Sequence, residues 1–239
     1  SYSKELGITL KTSNPQKLFE WFLASILFGA RISEKIAIKT FNEFRKQKIL
    51  TPEAILEAGW DRLVEVLDEG GYVRYDFKTA TKLLDKMQTL KERYNGNLNK
   101  LHEQSSDSKD LEKKLMEFRG VGETTINIFL RELRDIWVKA NPPPQNPVLQ
   151  AAYNLKIVEK DEWKTKEEKL KALQILKTYW EKNKVKGKSF VNFETALIKL
   201  GKNFCRKNKC KECPVKNFCR TTRNKHNMHY ITINKNAKK

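Results

Sequence analysis

Apolar residues recur at three- and four-residue spacing along nearly the whole chain, and this pattern leaves little choice of architecture. Leu18, Phe22 and Ile26 fall on one helical face, with Phe19, Leu23 and Leu27 beside them. Ala80, Leu83, Leu84, Met87 and Leu90 repeat the spacing, as do Ile126, Phe129, Leu130, Leu133 and Trp137. Leu173, Leu176 and Trp180 follow, and Phe193, Ala196, Leu197, Leu200 and Phe204 form a last stripe. Such spacing puts the apolar side chains of a 3.6-residue helix on one face. No segment sustains the period-two alternation of a half-buried strand, so an all-α protein is predicted. Thr51-Pro52-Glu53 reads as a helix start, with Thr as N-cap and Pro at the first helical position. Gly70-Gly71 and Asn95-Gly96 mark turns. Pro142-Pro143-Pro144 must interrupt any helix, because proline lacks the amide donor and clashes with the preceding turn. It separates a helix ending near Trp137 from one beginning near Val148.

Charge narrows the partner. Lys and Arg number 48 against 29 Asp and Glu, a net charge of +19 on 239 residues. That surplus favours a polyanion. Five Trp and twelve Phe argue against general disorder. No run of 18 apolar residues exists, so no membrane span is expected. The first ten residues lack the apolar stretch of a secretory signal, so an intracellular setting (cytoplasm with nucleoid, or nucleus) is expected. The segment 221–239 is basic and poor in apolar residues, and reads as a tail.

All four cysteines lie within fifteen residues: Cys205, Cys210, Cys213 and Cys219, spaced C-x4-C-x2-C-x5-C. Disulfides usually tie distant segments of small secreted domains, so thiols this close read as metal ligands. Soft sulfur ligands select iron–sulfur clusters or zinc. Structural zinc sites usually show two C-x2-C pairs, and only one occurs here, which favours a [4Fe–4S] cluster. The Lys and Arg residues between the first and last ligand are placed either to rest on phosphates or to offset the cluster's negative charge.

A second motif is Gly120-Val121-Gly122, between two helical patterns and followed by Glu123-Thr124-Thr125. The glycines permit a tight turn that exposes backbone N–H groups, and the next helix presents its N-terminus there, where a phosphate is favoured. An ordinary helix–turn–helix corner is the plain alternative.

Together these features resemble the endonuclease III branch of the helix-hairpin-helix DNA glycosylase superfamily. The resemblance runs from about Pro15 to Cys219. It rests on Thr51-Pro-Glu-Ala-Ile-Leu56, Gly71-Tyr72 followed by Lys78-Thr-Ala80, Tyr94-Asn95-Gly96, the Gly120-Val-Gly122 hairpin and the four cysteines. It implies two helical lobes: residues 1–30 with 140–220 as the cluster lobe, and 31–139 as a helical barrel carrying the hairpin at 115–130. It also implies a monomer that binds double-stranded DNA containing a damaged base. Such a base is flipped out, because its glycosidic carbon is inaccessible within the stack.

Two departures shape the expected chemistry. Where bifunctional relatives carry a nucleophilic lysine this chain has Thr124, and a hydroxyl cannot form the Schiff base needed for strand cleavage. Where the family keeps a catalytic Asp, the stretch Asn141 to Gln150 contains no acid. Gln145 is the best match and Asn146 the second; an amide can position water but cannot accept a proton at neutral pH. Asp135 is the nearest upstream carboxylate, with a solvated helix position as its plainer reading, and Glu132 is a weaker candidate. The expected activity is therefore monofunctional base removal, with a non-catalytic binder of damaged or distorted DNA as the alternative. Gly120, Val121, Gly122, Thr124, Thr125 and Arg31 are the candidate DNA contacts, and Lys139 is a candidate for touching phosphate or the lesion, with a solvated lysine as its plainer reading. Arg31 or Phe28 stands where the family wedges a side chain into the duplex. Tyr72, Arg74 and Tyr75 are candidates for the base pocket, by stacking or merely by packing.

Overall fold

The computed structural model describes residues 1–160 and 162–220. The basic tail expected at 221–239 lies outside the described residues. Among the described residues the chain is all-helical, with no strand and eleven α-helices. They are α1 (Tyr2–Glu5), α2 (Pro15–Gly29), α3 (Glu34–Lys46), α4 (Pro52–Glu69), α5 (Asp76–Tyr94), α6 (Leu98–Gln104), α7 (Ser108–Met116), α8 (Glu123–Arg131), α9 (Asn146–Asn154), α10 (Lys166–Lys182) and α11 (Phe190–Leu200).

The helix boundaries follow local chemistry. Thr51 accepts a hydrogen bond from the Ala54 amide at 3.1 Å, and Pro52 occupies the first turn of α4. Asn14, Ser33 and Asp107 cap α2, α3 and α7 in the same way. Thr165 and Glu168 close a reciprocal capping box on α10. Asn95 ends α5 in the left-handed conformation. Gly59, at φ +70°, breaks α4 into two helical stretches, 52–58 and 60–69.

The chain divides into two compact units, Ser1–Pro142 and a second beginning at Pro143. The first thirty residues, grouped from the sequence with 140–220, pack in the first unit. α2 lies against α8 and α3. Trp21 is fully buried and its indole donates to the Phe129 carbonyl at 3.1 Å. A Cβ on Gly29 would collide with Thr125 of α8, so only glycine permits this approach of the two helices. Phe22 meets Phe118 and Phe129 edge-on, at 5.7 and 5.1 Å between ring centroids.

The apolar stripe expected to carry a helix through Trp137 holds as burial but not as helix. α8 stops at Arg131, and Leu133 and Trp137 are reached through turns, with the Trp137 amide bonded to the Leu133 carbonyl at 2.8 Å. Trp137 stacks on His102 at 4.8 Å and donates to Asn99 Oδ1 at 3.1 Å. Tertiary partners thus bury these residues without helical continuity. Likewise α11 ends at Leu200, and the last residues of its stripe pass into a π-helical turn, Gly201–Cys205. In the second unit α9 packs on α11 and on that turn.

Candidate nucleic-acid interface and cysteine segment

The hairpin hangs on one buried aromatic. Phe118 is fully buried beneath it and touches Phe22 and Tyr94. The Val121 amide closes the turn on the Phe118 carbonyl at 2.9 Å, and the Val121 side chain is 5% exposed. Gly120 sits at φ +79°, the left-handed region that glycine takes without strain. Gly122 is the N-cap of α8, and no side chain caps the first turn. The leading amides of that helix therefore lack the carboxylate or hydroxyl that usually serves them, which suits an external anion. Thr124 is exposed, whereas Thr125 is buried against Gly29.

A basic group that sequence reading missed stands beside this turn. The Lys82 side chain of α5 lies along Gly120, 3.0 Å from where a Cβ would sit. Arg119 pairs with Asp85 of the same helix at 2.6 Å. One turn further on, Lys86 is 2% exposed and donates to the Lys82 carbonyl at 3.1 Å. Burial, reinforced by the charge of Lys82, pulls its ammonium down to a pKa of about 7, and Arg119 adds to this against the opposing Asp85. These lysines belong to the same helix as the Ala80–Leu90 stripe. Only the position of the hairpin over α5 distinguishes them from surface lysines.

The other candidates scatter. Arg31 is exposed in the turn between α2 and α3, two residues past the Gly29–Thr125 contact. Lys139 is half-buried, and its ammonium lies 2.8 Å from the His102 carbonyl and 3.4 Å from that of Glu103, where it closes the C-terminal end of α6. Tyr72 is 6% exposed, which makes it a packing residue. Arg74 lies 5.4 Å over the Tyr75 ring, and Tyr75 is exposed. Near them Trp60 and Phe77 form an exposed pair at 5.3 Å, which helical periodicity had given no reason to single out. Asp135 is exposed in the turns after α8, not in the helix expected for it. Glu132 is buried and accepts from the Tyr2 and Ser3 amides at 2.7 and 2.9 Å, so it holds the N-terminus in place.

In the second unit, Gln145 is the half-buried N-cap of α9, and its carbonyl accepts from the Val148 amide at 2.9 Å. Asn146 opens that helix and is exposed, and the first turn carries no acidic residue. The four cysteines follow the π-helical turn. Cys205 ends it, Cys210 and Cys213 are half-buried, and Cys219 is buried after a short 3-10 turn, Lys216–Phe218. None of the four is joined in a disulfide. Burial raises the pKa of Cys205; Asn154, hydrogen-bonded to it, opposes this, and the other three cysteines push it up further. Among the described residues no group of three or more His, Cys, Asp or Glu side chains is arranged as a metal cage. Cys210, Cys213 and Cys219 are nevertheless each within electrostatic reach of Cys205, and an all-thiolate donor set suits a soft metal centre.

No protein-family model and no curated protein matches the chain. Among solved structures it is similar to a trapped endonuclease III–DNA covalent intermediate, an estranged-adenine complex. The two superpose with a TM-score of 0.53 and 17% identity, over 89% of this chain and 86% of that one. The chain thus has the endonuclease III fold. Among the described residues no helix is long and apolar enough to cross a membrane.

Proposed function

We propose that this protein binds double-stranded DNA through the Gly120–Thr125 hairpin and removes a damaged base as a monofunctional DNA glycosylase, without lyase activity. The observation that carries the reading is the hairpin itself: an uncapped α8 N-terminus, a left-handed Gly120, and Lys82 laid beside it. Backbone amides and one flexible ammonium make a phosphate clamp that is indifferent to sequence. Arg31, in the turn next to Gly29, is the candidate wedge, and Tyr75 with Arg74 the candidate stacking group. Val121, Thr124 and Lys139 complete the proposed contacts, although Lys139 would first have to leave the α6 carbonyls. With Thr124 in place of an amine no Schiff base forms. Gln145, or Asn146 beside it, would position the attacking water, and Asp135 is the remaining carboxylate candidate. Cys205, Cys210, Cys213 and Cys219 would hold a [4Fe–4S] cluster, which would brace the segment and is assigned no part in the reaction.

Two measurements test this. Replacing Lys82 with Ala is expected to weaken duplex binding evenly across sequences and to lower the slope of log K against log salt by about 1. An unchanged slope would remove the hairpin clamp from the reading. Duplexes bearing a panel of damaged bases, incubated with the protein and then treated with hot alkali, should break at one or more lesions, with no breakage before alkali. Absence of excision at every lesion would rule out the enzyme. A second reading, a non-catalytic binder of distorted DNA, is favoured by the lack of any acid in the first turn of α9. It predicts tighter binding to abasic or mismatched duplex than to intact duplex, with no alkali-dependent breaks.

A further inference from the structure

The second unit contains a cavity apart from the hairpin, and of the residues proposed above for the reaction it includes Asn146. It has a volume of about 460 Å³, and its walls are one face of α9 and the segment before α10. Asn146, Leu149, Gln150, Tyr153 and Asn154 recur at helical spacing along the first wall; Glu162, Trp163 and Lys164 form the second. The size lies within the range of small-molecule sites.

The walls are held in place by contacts outside the cavity. The Trp163 indole donates to the Lys160 carbonyl at 3.1 Å, and the Lys160 ammonium lies 5.5 Å from its ring. The Lys164 amide is fixed by Glu168 at 2.7 Å, as an extension of the α10 capping box. The Arg220 guanidinium covers the Tyr153 ring at 4.6 Å and pairs with Glu159 at 2.7 Å. The Asn154 side chain is hydrogen-bonded to the Cys205 thiol. Among the described residues, the side-chain amides of Asn146 and Gln150 make no hydrogen bond.

The lining chemistry selects a ligand class. A divalent cation is disfavoured, because the one lining carboxylate, Glu162, has the Lys164 ammonium at 3.6 Å from it. A bare anion would meet that carboxylate. A lipid chain would leave the amides unsatisfied. A planar heterocycle with alternating donors and acceptors suits what is there: primary amides supply both kinds of partner, and aromatic rings supply the stacking surface. We infer that this cavity binds a nucleobase, with Gln150 and Asn146 facing its polar edge and Trp163 against its ring. The base belongs either to a free mononucleotide or to an unpaired position of a DNA strand.

The test is titration of the intact protein with adenosine 5′-monophosphate, followed by tryptophan fluorescence. Saturable quenching is expected. It should disappear in Trp163→Leu, which removes the responding indole among five tryptophans. In Gln150→Leu, an exposed position where folding is not at stake, the midpoint should move at least ten-fold. Ribose 5-phosphate should not quench. The inference is overturned if the mononucleotide fails to quench, if Gln150→Leu binds as tightly as the parent, or if ribose 5-phosphate matches the mononucleotide. Single-stranded DNA that competes with the mononucleotide assigns the site to bases within a strand; if it does not compete, the site is for free nucleotides, and either result upholds a nucleobase. Duplex binding by the hairpin is a separate measurement, so the failure of one reading leaves the other standing.

Discussion

Replacing Lys86 with Met is expected to stabilise the first unit by about 2–4 kcal/mol near pH 7 and to flatten the dependence of its stability on pH. Lys86 is 2% exposed, and its ammonium has one acceptor, the Lys82 carbonyl. Desolvation, with Lys82 and Arg119 adding like charge, lowers its pKa from 10.5 to about 7. The sign follows from proton counting. Between pH 7 and 10.5 the unfolded lysine holds a proton that the folded one has released, so unfolding becomes harder as pH rises through this window. Below pH 7 both states are protonated and the folded state carries the whole cost of a buried ammonium. The slope should approach about 1.4 kcal/mol per pH unit. It is best read between pH 7 and 10, because Tyr2, whose phenol is held protonated by burial, works in the opposite direction above that. Methionine has a similar helix propensity and length, so the change isolates the charge. Urea unfolding of parent and variant across this range is the measurement. Parallel profiles of equal stability would mean that Lys86 reaches solvent.

Gly201→Ala should cost the second unit about 3 kcal/mol, a fall in its melting temperature of roughly 12–24 °C. A Cβ at this position would overlap the Pro147 carbonyl and approach the Pro147 carbon and Cα at 2.7 and 2.9 Å. These are backbone atoms, which cannot rotate aside as a side chain can. Pro147 lies in the first turn of α9, so relief would have to come from shifting that helix or the π-helical turn that Gly201 begins. The φ of Gly201 is −60°, so backbone conformation puts no demand on glycine here and the effect is purely one of space. Thermal unfolding followed through circular dichroism would show it. A variant as stable as the parent would mean that α9 and the turn separate freely.

What the sequence alone decided was local. Helices declare themselves in the three–four spacing of apolar residues, because that spacing is the geometry of the helix. Thr51 and Pro52 declared a helix start for the same reason: the cap reaches only three residues ahead. The glycine hairpin and the four cysteines were legible because each motif lies within one short segment. Several contacts were decided only by the tertiary structure, since each joins residues far apart in the chain. Glu132 read as a weak catalytic candidate until the Tyr2 and Ser3 amides arrived from the other end of the first unit. Lys139 read as a solvated or phosphate-facing lysine, and only the fold brings its ammonium to the end of α6. Nothing in the sequence singled out Lys82 or Lys86; only the fold lays Lys82 beside Gly120 and buries Lys86. Leu133 and Trp137 kept the spacing of a helix that in fact ends at Arg131, because burial among distant partners satisfies an apolar side chain whatever its backbone does. The period of a pattern is a property of the chain, whereas desolvation, close approach and the identity of a polar group's partner are properties of the packed molecule.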